Sequence, residues 1–162
     1  MLNSLLNFHR LATSICLAGS LLACGGPSEQ QEIPADTGFA EAFYHDDCAP
    51  WDGFALTLLL TQEGVEDVFD LPYPHLRVTS YQYPPSAPGA IIGWEGEDHT
   101  AGTAVFCVAD SQCEVATAVW ARLAEVDVLD ELMGEIRVEF ADAGVIGGPF
   151  RARKLLFQAL CG

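Results

Sequence analysis

The stretch Glu135-Ile136-Arg137-Val138-Glu139-Phe140 alternates without a fault. Ile136, Val138 and Phe140 fall on one side, and Glu135, Arg137 and Glu139 on the other. A period of two is the signature of a strand with one buried face. Asp142-Ala143-Gly144 then supplies a turn. Comparable short runs recur along the chain. Residues 54–61 place Phe54, Leu56, Leu58 and Leu60 on one face. Leu76, Val78 and Ser80 alternate with Arg77, Thr79 and Tyr81, and Ala90-Ile91-Ile92-Gly93-Trp94 is a short apolar run. Residues 103–109 and 115–123 flank the turn Asp110-Ser111-Gln112, and 150–160 follow Gly147-Gly148-Pro149. No run is followed by a long amphipathic helical pattern, which argues against a parallel βαβ fold. The expectation is an all-β domain, an antiparallel β-sandwich or small β-barrel of about seven strands. Residues 127–134 resist this pattern. Asp127 is an N-cap type and Gly134 a stop, so the segment reads as a helical turn or a hairpin tip. Tyr83-Pro84-Pro85-Ser86-Ala87-Pro88-Gly89 is irregular, because each proline removes a ladder donor.

Charge excludes one class of partner. The chain carries 7 Lys and Arg against 23 Asp and Glu, a net charge of −16. Nucleic acid is not expected as a ligand, since phosphates require Lys and Arg. A hydrophobic share of 50% nonetheless removes the chain from the disordered acidic class.

The N-terminus sets the compartment. Residues 1–10 are a short polar start ending in Arg10, and 11–23 are almost wholly apolar. That run is shorter than the roughly 20 residues that cross a bilayer. It has the shape of a secretory signal, expected over 1–23. Leu21-Leu22-Ala23-Cys24, followed by Gly25-Gly26, resembles the lipobox of bacterial lipoproteins. The resemblance implies cleavage after Ala23 and a lipid on Cys24, so that the membrane is a partner through the anchor. Gly25 stands where an Asp would favour inner-membrane retention, which by the same resemblance points to the outer membrane. The domain then faces the periplasm or the cell surface. Residues 24–42 are expected to be a flexible tether. Its stretch from Gly25 to about Gly38 reaches on the order of 20 Å, and the folded domain is expected over 43–162. Residues 39–44 fit either a helical turn or the lead-in to that domain.

Of the 6 cysteines, Cys48, Cys107, Cys113 and Cys161 follow Cys24. In an oxidising compartment they are expected to pair. Cys107 and Cys113 flank the Asp110 turn on neighbouring strands, and Cys48 and Cys161 would then tie the ends of the domain. The C-terminal part carries a second resemblance, over about a quarter of the chain. Gly134 to Asp142, then Gly147-Gly148-Pro149-Phe150-Arg151-Ala152, then Leu160-Cys161 are similar to the C-terminal half of many small Gram-negative lipoproteins of uncharacterised activity. The resemblance implies a β domain closed by a terminal disulfide and no particular chemistry.

Chemistry is sparse. No nucleophile elbow, zinc-protease helix, phosphate loop or calcium-binding loop is present, and an enzyme is not expected. Glu95, Glu97, Asp98 and His99 form the first candidate cluster for a divalent cation, and Tyr44-His45-Asp46-Asp47 the second. Neither has a spaced ligand pattern, so a solvated acidic loop is the expected role and no cofactor is assigned. His75, after Pro74, reads as a loop residue opening a strand. Arg151 and Arg153 share a strand face beside Lys154. They could receive an anion, or simply balance neighbouring carboxylates. Trp51, Trp94 and Trp120 read as core or rim residues rather than a sugar platform. Two functions remain in competition: a non-catalytic structural or interaction module with an envelope protein as partner, and a lipocalin-like barrel holding a small apolar ligand or lipid.

Overall fold

The computed structural model describes residues 36–51, 53–81, 91–96, 100–126 and 131–156. All lie in one compact unit, Glu32–Gly162. Among the described residues nine strands form: β1 Glu41–Cys48, β2 Phe54–Thr61, β3 His75–Ser80, β4 Ile91–Glu95, β5 Gly102–Ala109, β6 Gln112–Val115, β7 Ala118–Val126, β8 Glu131–Glu139 and β9 Val145–Lys154. They make one sheet in the order β4-β7-β8-β9-β1-β2-β3-β5-β6. The fold is all-β, as the alternation predicts. The strand number is corrected from about seven to nine, and the sheet is mixed rather than purely antiparallel. It also does not close into a barrel.

The corrections have local causes. β1 is extended from Glu41 onward, and Phe39 already packs edge-on against Phe106, ring centroids 6.3 Å apart. The structured chain therefore starts ahead of Phe43. The run expected over 115–123 is broken at Ala116 and Thr117. The Ala116 N–H donates to Ala104 O of β5 at 2.9 Å, while the Thr117 N–H donates to Glu139 O of β8 at 2.7 Å. Consecutive residues thus bond to opposite halves of the sheet, and the chain crosses between them there. The last strand begins at Val145, so Gly147, Gly148 and Pro149 lie inside it. Pro149 is tolerated because β1 pairs with β9 only at Arg153 and Lys154, leaving no ladder on that flank. Gly148 is required there. Its φ is +146°, and a Cβ would stand 2.7 Å from the backbone of Asp36 and Thr37. The helical turn considered for 127–134 is absent from its described part, since β8 starts at Glu131; residues 127–130 lie outside the described residues.

The only parallel pair among the described residues, β1 with β9, joins the halves at Phe43↔Arg153 and Tyr44↔Lys154. The sheet folds on itself about this joint, sandwich fashion, and both halves feed one core. Leu56, Leu58, Leu60, Leu76 and Val78 meet Trp94, Val119, Ile136, Val138 and Phe150. Each such side chain contributes roughly 1.5–3 kcal/mol when fully buried. Gly102 lets the halves approach, because a Cβ there would fall 2.7 Å from the Trp94 ring. β2 is central and covered on both faces: Leu56, Leu58 and Leu60 face the core, and Thr57, Leu59 and Thr61 are buried behind. Phe54, on the same face by alternation, is 67% exposed at the strand start. Behind β2, Phe43 and Leu59 pack with Val65, Leu71 and Leu155.

Candidate functional site

The first acidic cluster lies largely outside the described residues, and the second does not converge on a point. Glu95 is exposed at the end of β4, and Glu97, Asp98 and His99 lie outside the described residues. On β1 the alternation of side chains splits the second cluster between two faces. Tyr44 enters the core, and Lys154 lies above its ring at 5.9 Å while pairing with Asp46 at 3.5 Å. His45 is buried on the other face, its Nδ1 3.0 Å from Asp46 O. The Asp47 carboxylate accepts from the Cys48 N–H and from Thr57 Oγ1, each at 2.8 Å. Thr57 Oγ1 in turn lies 2.8 Å from Thr79 Oγ1. This row ties β1, β2 and β3 together with polar bonds that are satisfied on burial. Among the described residues, no three His, Cys, Asp or Glu side chains converge on a common point.

A second polar corner forms at the far end of β3. His75 opens the strand as expected, but it is 8% exposed rather than a loop residue. Its Nδ1 lies 3.1 Å from Pro72 O, the geometry of an Nδ1–H donor. Burial lowers its pKa below 6.5, against the Pro72 carbonyl and with the help of the Arg77 charge. The Tyr73 ring stacks on His75, centroids 5.0 Å apart, and its hydroxyl donates to Asp110 at 3.4 Å. Desolvation and then the Asp110 charge raise the Tyr73 pKa above 10.0. His75 is paired in register with Cys107, which forms a disulfide with Cys113 across the β5–β6 turn. Cys48 is disulfide-bonded as well. Its partner lies outside the described residues, as do Cys161, the expected partner, and Cys24, the expected lipid site.

The cations occupy two unlike surfaces. Arg122 pairs with Glu135 at 2.8 Å, Arg137 with Glu139 at 2.8 Å, Arg151 with Glu131 at 3.0 Å and Arg153 with Glu41 at 2.7 Å. Arg153 also lies over the Phe43 ring at 5.1 Å. Arg151 and Arg153 share a face as expected, yet each answers a different carboxylate. A cleft of about 510 Å³ opens instead between Arg151 and Arg122, over Met133, Gly134, Pro149 and Phe150. Sequence reading missed this, because Arg122 and Arg151 are brought together only by the register of β7, β8 and β9. Of the tryptophans, Trp94 is in the core. Trp51 is 56% exposed against Tyr81, and Trp120 is half-buried on the outer face of β7, opposite Gly93.

The other surface is the outer face of β3, β5 and β6. Register places Thr79 beside Thr103, Arg77 beside Val105 and Val115, and His75 beside Cys107 and Cys113. No Asp or Glu side chain of these three strands points to this face. Arg77 is exposed and, alone among the described Lys and Arg, has no carboxylate within ion-pair distance. Val115 beside it is 53% exposed. Such a face can be covered by a partner at small desolvation cost, with one charge to fix its register. No family model, curated protein or solved structure matches the chain.

Proposed function

We propose that this protein is a lipid-anchored envelope lipoprotein of the outer membrane, whose β domain is a non-catalytic interaction module. In this reading Cys24 carries the lipid, and the residues after it hold the domain off the headgroups, which would repel so acidic a body. Disulfide bonding at Cys107, Cys113 and Cys48 suits an oxidising compartment. The observation that carries the interaction reading is the outer face of β3, β5 and β6, where Arg77 and Val115 stand exposed without a counter-charge. On a chain of net charge −16, a surface whose strands point no carboxylate outward has little bound hydration to lose. The lipocalin-like alternative draws no support from a sheet that stays open.

Site-specific photocrosslinking in living cells tests the module. A crosslinker at Val115 is expected to give a covalent adduct with an envelope protein. Absence of any adduct from Val115, with the protein in place in the membrane, would overturn the reading of this face. The anchor is tested separately: Cys24→Ser should move the protein to the soluble fraction, and retention in the membrane would remove the lipid from the account.

A further inference from the structure

The cleft between Arg122 and Arg151 has a composition of its own. The register sets Arg122, Glu135 and Pro149 in one row and Met133 and Arg151 in the next, all on the outer face. β7 and β9 flank β8, about 10 Å apart, and the arginines are offset by two residues along them, so their backbones stand about 12 Å apart. The space between them, about 510 Å³, falls within the range of small-molecule sites. Each wall arginine is ion-paired: Arg122 with Glu135 at 2.8 Å, and Arg151 with Glu131, outside the cleft lining, at 3.0 Å. Arg151 Nη2 also lies 3.3 Å from Met133 Sδ. A guanidinium has five N–H donors, so each arginine keeps donors beyond the one its carboxylate takes. The floor is apolar, with Met133 and Pro149; Phe150 borders it, but its ring is turned into the core.

Charge selects the ligand. Both walls are neutral in sum, on a chain of net charge −16. An anion would meet cations already cancelled and a repelling body. A cation would meet carboxylates already answered. An uncharged molecule with many hydroxyls and one apolar C–H face meets donors, acceptors and floor together. We infer that this cleft binds a neutral pyranose sugar chain. Arg122 and Arg151 donate to its hydroxyls, Glu135 accepts from them, and Met133 and Pro149 lie under the C–H face. Trp120 is the next outward residue of β7 beyond Arg122, and it faces Gly93, which has no side chain to cover it. A second ring of the chain extends over that indole. The site is independent of the Val115 face and of the anchor.

Saturation-transfer NMR on the full-length protein in phosphocholine micelles tests this, with cellotriose, maltotriose and chitotriose as neutral probes and trigalacturonate as the anionic one. Transfer from at least one neutral trisaccharide is expected. Arg122→Gln and Arg151→Gln should each weaken it roughly tenfold, the worth of about one hydrogen bond to a charged group. Arg153→Gln, outside the cleft, should leave it unchanged. Both cleft arginines are more than half exposed, so the variants are expected to fold, and an unchanged near-UV spectrum verifies it. Met133→Lys leaves both arginines in place, charges the floor and should abolish transfer. The inference is overturned by no transfer from any neutral probe, by transfer from trigalacturonate alone, or by transfer that the cleft variants leave intact.

Discussion

The two outer faces of one sheet have been built by opposite rules. On β7, β8 and β9, arginine and glutamate alternate across strands, and each described guanidinium has its carboxylate. On β3, β5 and β6, threonine, valine and the Cys107–Cys113 disulfide replace charge, and Arg77 stands by itself. Both faces lie over the same core. The difference is therefore not needed to hold the sheet together; it concerns what each surface presents outward. A face of paired charges stays hydrated and offers polar groups to a polar ligand. A face with little charge is the cheaper one to cover with protein.

The largest effects should ignore this contrast. Ile136 lies beneath the ion-paired face and Leu76 beneath the other, and both are fully buried in the shared core. Ile136→Ala and Leu76→Ala should each cost about 2–5 kcal/mol. Urea unfolding followed by fluorescence and circular dichroism should give one coincident transition for both variants. Two separated transitions would mean that the halves are independent layers. The next effect is confined to one face. Cys107→Ser with Cys113→Ser opens a short loop at the sheet edge and should cost roughly 2 kcal/mol in the chain-entropy model. A midpoint that does not move would show that β6 contributes nothing to the fold.

How much of this was legible in the sequence depends on where the information sits. The alternation of β8 could be read directly, because a half-buried strand writes its faces into adjacent residues. β6 and β7 merged in the sequence because Ala116-Thr117 contains no turn residue; the crossing between halves is fixed by hydrogen bonds to Ala104 and Glu139. Gly147-Gly148-Pro149 read as punctuation, although they continue β9 past the entering backbone at Asp36. The β1–β9 joint is a meeting of chain ends and leaves no local trace. Of the candidate sites, the Cys107–Cys113 bridge was visible from its turn. The arginine cleft and the bare Arg77 were not, because each is defined by cross-strand neighbours.

Smaller effects separate the faces. Arg122→Gln removes an exposed ion pair and should cost at most about 1 kcal/mol, less as salt rises. Arg77→Gln breaks no such pair and should change stability by no more than about 0.5 kcal/mol. The same Arg77→Gln change should nevertheless abolish the Val115 crosslink, which Arg122→Gln should leave intact. Equal crosslinking in both variants would erase the functional half of the contrast.

The smallest effect is a pH dependence seated under the uncharged face. Burial, assisted by Arg77, lowers the His75 pKa below its ordinary 6.5. Above 6.5 the imidazole is neutral in both folded and unfolded chains, and the stability it allows is fully present. As pH falls below 6.5 the unfolded chain takes up a proton that the folded chain refuses, so stability declines until the lowered folded pKa is passed. His75→Gln should remove this segment of the stability–pH curve while leaving the carboxylate-driven loss at lower pH. Arg77→Gln should make the segment shallower, because the guanidinium is one of the groups that oppose protonation. The check is a urea midpoint measured from pH 7.5 to 5 for the three proteins. Identical slopes for wild type and Arg77→Gln would show that burial alone holds His75 neutral, and that Arg77 is turned wholly outward toward what covers this face.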